Sequence, residues 1–167
     1  MNSFWGNIFQ SRGTGNPAEK VLDILRRIPL FDGLSRKELS AIERILHKRT
    51  YQRQELIFRQ GDPGLGMYII ERGSVEIVSE PANTVLAELH EGEFFGELAL
   101  LDDSPRSASA TAKEECTALG FFQPDLFGLV ERNPKLGVKI VMRLARIIGD
   151  RLKKCNEELR RADDTGS

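Results

Sequence analysis

Apolar positions change period twice along this chain. From Pro17 a helical stripe runs through Val21, Leu22, Ile24 and Leu25, with proline suited to a first helical turn. Pro29 and Gly33 interrupt it. Ser35, with Glu38 three residues on, reads as a capping box opening a second helix through Leu39, Ile42, Ile45 and Leu46. After Thr50 the helical period gives way to short apolar runs at 55–59, 67–71, 74–79 and 85–90. Gly61-Asp62-Pro63-Gly64 and Arg72-Gly73 punctuate them. A further alternating run holds Ala108, Ala110 and Ala112, and Leu119 to Phe122 makes a last strand. Short strands at close spacing with glycine turns suggest an antiparallel sandwich or barrel of the jelly-roll kind. Helix returns at Pro124 to Val130, and again from Pro134 to about Ala162.

The last helix carries a regular seam: Val141, Ala145, Ile148, Leu152, Cys155, Leu159 and Ala162. Alternating steps of four and three are the period of a coiled-coil face. The expected division is a tail over 1–16, a β-roll with flanking helices over 17–133, and a helix over 134–163 that switches and dimerises. The tail clusters Phe4, Trp5, Ile8 and Phe9 at one-turn spacing, either to pack on the domain or to anchor a partner.

Composition narrows the function. With 24 Lys+Arg against 25 Asp+Glu, the net charge of −1 argues against a chain that coats nucleic acid with its whole surface. Two cysteines, Cys116 and Cys155, cannot build a zinc ribbon or an iron–sulfur cage, so no metal is expected, and reduced thiols fit a cytoplasmic address. His47 and His90 each sit among charged residues and read as solvated. No run approaches the roughly 20 apolar residues of a membrane span.

The segment from Phe94 to Ala108 carries the chemistry. Gly96 permits close backbone approach after an apolar strand. Glu97 to Leu101 are good helix formers, and the first N–H groups of a short helix there would face an anion. Arg106 brings a guanidinium fork suited to a phosphate, and Ser107 a hydroxyl beside it. Glu97 cannot bind phosphate, but its carboxylate suits a vicinal sugar hydroxyl. A surface role is the alternative: Glu97 favouring a helix N-terminus and Arg106 pairing with Asp102 or Asp103.

Phe95-Gly96-Glu97-Leu98-Ala99-Leu100, then Pro105-Arg106-Ser107-Ala108, resembles the phosphate-binding cassette of the cyclic nucleotide-binding domain family, that of the bacterial catabolite activator and the protein kinase A regulatory subunit. Gln60-Gly61-Asp62-Pro63, Tyr68-Ile69-Ile70, Arg72-Gly73-Ser74-Val75 and Asn133-Pro134 are similar to further parts of it. The resemblance implies an α+β fold: an antiparallel β jelly-roll (double-stranded β-helix) flanked by N-terminal helices and a long C-terminal helix. It implies that Arg106 and Ser107 hold the cyclic phosphate with Ala99, and that Glu97 holds the ribose 2′-hydroxyl beside Gly96 and Leu98. Ile77 would line an apolar wall. A residue of the last helix would reach the base: Arg151 occupies the matching turn and Arg146 is the neighbouring candidate.

The expected activity is binding, not catalysis: a stand-alone regulatory module for cAMP, ahead of cGMP, relaying through its last helix to a protein partner. Homodimerisation through that helix is expected. No helix-turn-helix pattern appears, so direct nucleic-acid binding is not expected. The alternative is an interaction domain that keeps the fold without the ligand. Hydrolysis of the nucleotide would want a metal cluster or a base at the phosphate, which two scattered histidines do not supply.

Overall fold

The computed structural model describes residues 17–165, with the side chains of Pro17, Leu159 and 162–165 excepted. The aromatic cluster expected in the tail lies outside the described residues. The described elements are α1 (Pro17–Arg27), a 3-10 turn (Pro29–Phe31), α2 (Arg36–Glu43), β1 (His47–Tyr51), β2 (Leu56–Phe58), β3 (Gly66–Arg72), β4 (Val75–Ser79) and β5 (Thr84–Leu89). There follow β6 (Phe94–Phe95), a second 3-10 turn (Glu97–Leu100), β7 (Ser109–Ala112), β8 (Cys116–Phe122), α3 (Gln123–Arg132) and α4 (Pro134–Thr165).

The strands form two four-stranded sheets, ordered β1-β8-β3-β6 and β2-β7-β4-β5, and every pairing is antiparallel. This is the expected jelly-roll, as two separate sheets and not a closed barrel.

Period-2 alternation divides the core. On β3 and β8, Met67, Ile69, Leu119 and Phe121 face the helices, where they meet Ile24, Leu25, Phe31, Leu39, Ile42 and the α4 residues Leu136, Ile140 and Leu144. Ile70, Cys116 and Ala118 face the other way, against Val75, Phe95, Ala110 and Ala112. Both strands are therefore buried on both faces, which is why they read as nearly continuous apolar runs. The alanines of β7 are buried between the sheets.

The capping box forms as expected: Glu38 N–H donates to Ser35 Oγ at 3.3 Å, and Ser35 N–H donates to Glu38 Oε2 at 2.8 Å. Lys139 Nζ donates to the same carboxylate at 2.6 Å and ties α2 to α4.

Two boundaries differ from the sequence reading. The second helix stops at Glu43, and the residues from His47 form β1, paired with β8 from His47↔Gly120 to Tyr51↔Cys116. β1 is exposed along most of its length, so its charged residues conceal the strand period. The short helix after Gly96 is a four-residue 3-10 turn.

On α4, Val141 and Ile148 are half-buried against the core, whereas Ala145, Leu152 and Cys155 are exposed. Val138 and Met142 are also exposed, so the solvent-facing ridge keeps Ala145, Leu152 and Cys155 of the expected seam and takes Met142 in place of Val141.

Candidate functional site

Two chain segments are pinned to each other at the site. The N–H of Gly61 donates to the carbonyl of Arg106 at 2.9 Å, and the N–H of Arg106 donates to the carbonyl of Asp62 at 2.8 Å. Pro63 and Pro105 form a bridge beside them. The early glycine turn and the cassette, some forty residues apart in sequence, thus make one unit. Gly64 is required there, because a Cβ would stand 2.7 Å from the Ala99 Cβ.

This unit carries Arg106 inward. The residue is only 8% exposed. Its Nη2 donates to the Gly66 carbonyl at 2.7 Å and its Nη1 to the Gly96 carbonyl at 3.2 Å. The guanidinium carbon lies 4.1 Å from the Phe58 ring centroid and 5.9 Å from that of Tyr68. The Nε–H is buried and has no acceptor. Among the described residues no carboxylate forms an ion pair with Arg106; Asp102 instead accepts from Ser104. Burial holds the guanidinium pKa below its ordinary value, yet an arginine stays charged at neutral pH. A buried cation with carbonyls, rings and an orphaned donor around it, but no counter-ion, is equipped for an anion.

Glu97 follows Gly96, whose φ of +76° turns the chain from β6 into the 3-10 turn. The Glu97 carboxylate is buried, and Arg151 Nη1 of α4 donates to it. The Arg151 guanidinium also lies over the Phe94 ring, 5.3 Å from its centroid.

A cavity of about 530 Å³ opens between these groups. Arg106, Ser107, Ala99, Gly96, Glu97, Leu98, Ile77 and Arg151, all marked out in the sequence, line it together. Arg146 does not; it lines a second cavity against Arg26, Arg27 and Asp32 on the α1 side of α4. The N–H of Ala99 donates to the Gly96 carbonyl at 3.3 Å, so the turn closes on itself there. Ser107 is exposed at the rim and Leu98 projects outward.

Sequence reasoning missed Phe58, Ala87 and Leu89. The last two share the β5 face that continues the Ile77 wall, Ala87 paired with Ile77 and Leu89 with Val75. Nothing in its own neighbourhood marks Phe58, whose pairing with Ala110 across β2 and β7 sets it under Arg106. The opposed character of the lining, a cationic end, a buried carboxylate and an apolar shelf, suits a small molecule with a phosphate, hydroxyls and a flat apolar part.

The histidines stand away from this cavity. His47 Nε2 lies 3.0 Å from Asp125, His90 Nε2 lies 3.8 Å from Glu88, and both side chains are exposed. Among the described residues no cluster of metal-ligating side chains occurs, and no helix is long and apolar enough to cross a membrane.

Comparison with known proteins gives a consistent set. The family model described as "Cyclic nucleotide-binding domain" matches residues 48–133. The chain is 36% identical over 134 residues to a Cyclic AMP receptor protein of Thermus thermophilus, spanning 78% of this chain and 60% of the relative. It is 38% identical over 91 residues to a cAMP-dependent protein kinase regulatory subunit of Emericella nidulans, spanning 54% of this chain and 22% of the relative. Among solved structures, the Thermus thermophilus Catabolite Activator Protein is similar with a TM-score of 0.72 at 34% identity, over 81% of this chain and 63% of that one. The chain thus spans less than two thirds of each of these relatives.

Proposed function

Because the chain belongs to the cyclic nucleotide-binding domain family, we propose that it is a regulatory module that binds a cyclic nucleotide, cAMP ahead of cGMP, and acts by binding and not by catalysis. One observation carries the reading: the buried, counter-ion-free Arg106 with its orphaned Nε–H, set across one cavity from the buried Glu97.

In this reading the cyclic phosphate sits on Arg106, with the Ser107 hydroxyl and the backbone of Ala99 beside it. Glu97 accepts from the ribose 2′-hydroxyl, flanked by Gly96 and Leu98. The base lies along Ile77, Ala87 and Leu89. The preference for cAMP is supported by the likeness to a Cyclic AMP receptor protein and to a cAMP-dependent protein kinase regulatory subunit.

The output passes through α4 to a protein partner, and the exposed ridge of α4 pairs two copies in a homodimer. A ligand can move α4 only by binding one of its arrangements better than another. A cytoplasmic address, with no direct contact to nucleic acid, completes the proposal.

The alternative is a domain that keeps the fold and binds no nucleotide. It has one observation in its favour: Arg151 already satisfies Glu97.

Calorimetric titration with cAMP and with cGMP, beside Arg106→Ala, tests the reading. Micromolar or tighter binding by the natural chain, lost in the variant, is the expected result. No heat with either nucleotide and an unshifted melting temperature would select the alternative.

A further inference from the structure

We propose that the cleft between the end of α1 and the middle of α4 is a docking site for an acidic peptide segment of a protein partner, gripped by Arg27 and Arg146. The site shares no lining residue with the nucleotide cavity and holds whether or not the chain binds a nucleotide.

The cleft has a volume of about 400 Å³. Arg26 and Arg27, the last two residues of α1, line it from one side. Arg143 and Arg146, three residues apart and so on one face of α4, line it from the other. Pro29 and the half-buried Ile147 add apolar surface to the lining.

Two of the four arginines are already paired. Arg26 donates to Asp23 at 2.6 Å, and Arg143 lies 3.3 Å from Asp32. Asp150, the other carboxylate of the lining, lies 3.4 Å from Lys153. Arg27 and Arg146 form no ion pair among the described residues, and both are exposed. Cations at the C-terminal end of α1 complement the helix dipole, which accounts for Arg26 and Arg27 without a ligand. No such account covers Arg146 in the middle of α4. Two unpaired guanidiniums from separate elements meet in one cleft of a chain whose net charge is −1. That is a surface complementary to carboxylates.

The neighbours select the form of the ligand. The last carbonyls of a helix lack intrahelical partners, so the end of α1 repels a compact phosphate and can accept from a peptide N–H. Asp32 and Asp150 in the lining also disfavour a dense dianion. Carboxylates spaced along a peptide meet Arg27 and Arg146 separately, each through a guanidinium fork. An apolar side chain between them rests on Pro29 and Ile147. Nucleic acid would call for a longer basic track than two unpaired arginines.

Fluorescence anisotropy of the full chain tests the site, with a short fluorescein-labelled peptide of aspartates and glutamates around one leucine. Micromolar binding is expected, and none by the counterpart with asparagines and glutamines. Arg27→Gln with Arg146→Gln should weaken binding about tenfold or more. Arg146→Gln alone, which leaves the end of α1 intact, should weaken it about threefold. Arg53→Gln with Lys135→Gln removes the same charge at exposed positions outside the cleft and should leave binding unchanged. No binding of the acidic peptide, equal binding of its amide counterpart, or equal loss in the two double variants would overturn the site. Displacement of the peptide by equimolar pyrophosphate or by a single-stranded oligonucleotide would overturn the peptide in favour of that ligand. A cAMP titration of the same samples judges the nucleotide reading separately, since its failure leaves the anisotropy result standing.

Discussion

Gly96 and Arg106 occupy each other's space: a Cβ on Gly96 would stand 2.5 Å from Arg106 Nη1, the same nitrogen that donates to the Gly96 carbonyl. The glycine turns the chain at a φ of +76° and leaves room for the guanidinium in one stroke. Gly96→Ala is therefore expected to cost about 1–2 kcal/mol through the left-handed backbone alone. Because Arg106 must also shift, cAMP binding should weaken by more than about tenfold, each tenfold being roughly 1.4 kcal/mol. Urea unfolding and calorimetric titration of the variant check both parts. Undiminished binding would show that the pair does not set the position of Arg106.

Phe58 is the residue under the guanidinium, 4.1 Å from ring centroid to Arg106 Cζ. Its contribution is a cation–π contact of roughly 0.5–2 kcal/mol, which orients a cation that forms no ion pair among the described residues. Phe58→Leu keeps an apolar side chain of similar reach and should leave the fold intact. Nucleotide affinity should drop by about three- to tenfold. Equal affinity in the two proteins removes Phe58 from the site.

Val138, Met142 and Leu152 are exposed on α4, with Ala145 and Gly149 between them at coiled-coil spacing. Leu152→Glu places a charge at the proposed twofold contact. Light scattering on the natural chain is expected to give the mass of two copies, and on the variant the mass of one. A natural chain that runs as a single copy at all concentrations ends the dimer proposal.

Alkaline pH should destabilise the protein in a predictable window. Burial pushes the Cys116 thiol up from its ordinary value near 9 to about 11, and the Tyr51 hydroxyl up to about 12. Both stay protonated in the folded chain when the unfolded chain has begun to ionise. The unfolded state then binds fewer protons, so stability falls as pH rises. The thiol's contribution is complete below about pH 9 and is lost by about pH 11. Urea midpoints measured from pH 8 to 11 should decline, and Cys116→Ala should flatten the decline. The same burial predicts one fast-reacting thiol in the folded protein, Cys155, with Cys116 reacting only on unfolding.

Much of this molecule is legible before any coordinates. Period-3.6 stripes place α1, α2 and α4, and the Ser35–Glu38 box caps α2 as written. Nearly continuous apolar runs place β3 and β8, which are buried on both faces, and alternation places β4, which packs one face inward. The cassette is legible because its parts are local: a glycine that must take a positive φ, an acid next to it, and an arginine behind a proline. β1 was hidden because an exposed strand held by its neighbour's ladder needs no apolar period of its own.

What the tertiary structure alone decided are the relations across long sequence distance. The Gly61–Asp62 turn clasps Arg106 through two backbone hydrogen bonds, Phe58 lies under its guanidinium, and Gly66 supplies a carbonyl to its Nη2. Arg151, fifty-four residues from Glu97, is brought to that carboxylate, while Arg146, five residues earlier on the same helix, faces another cavity. Residue types and local spacing state which side chains a helix or strand can show. Which face meets which partner depends on how the sheets and helices pack, and packing is settled by contacts that no short window of sequence contains.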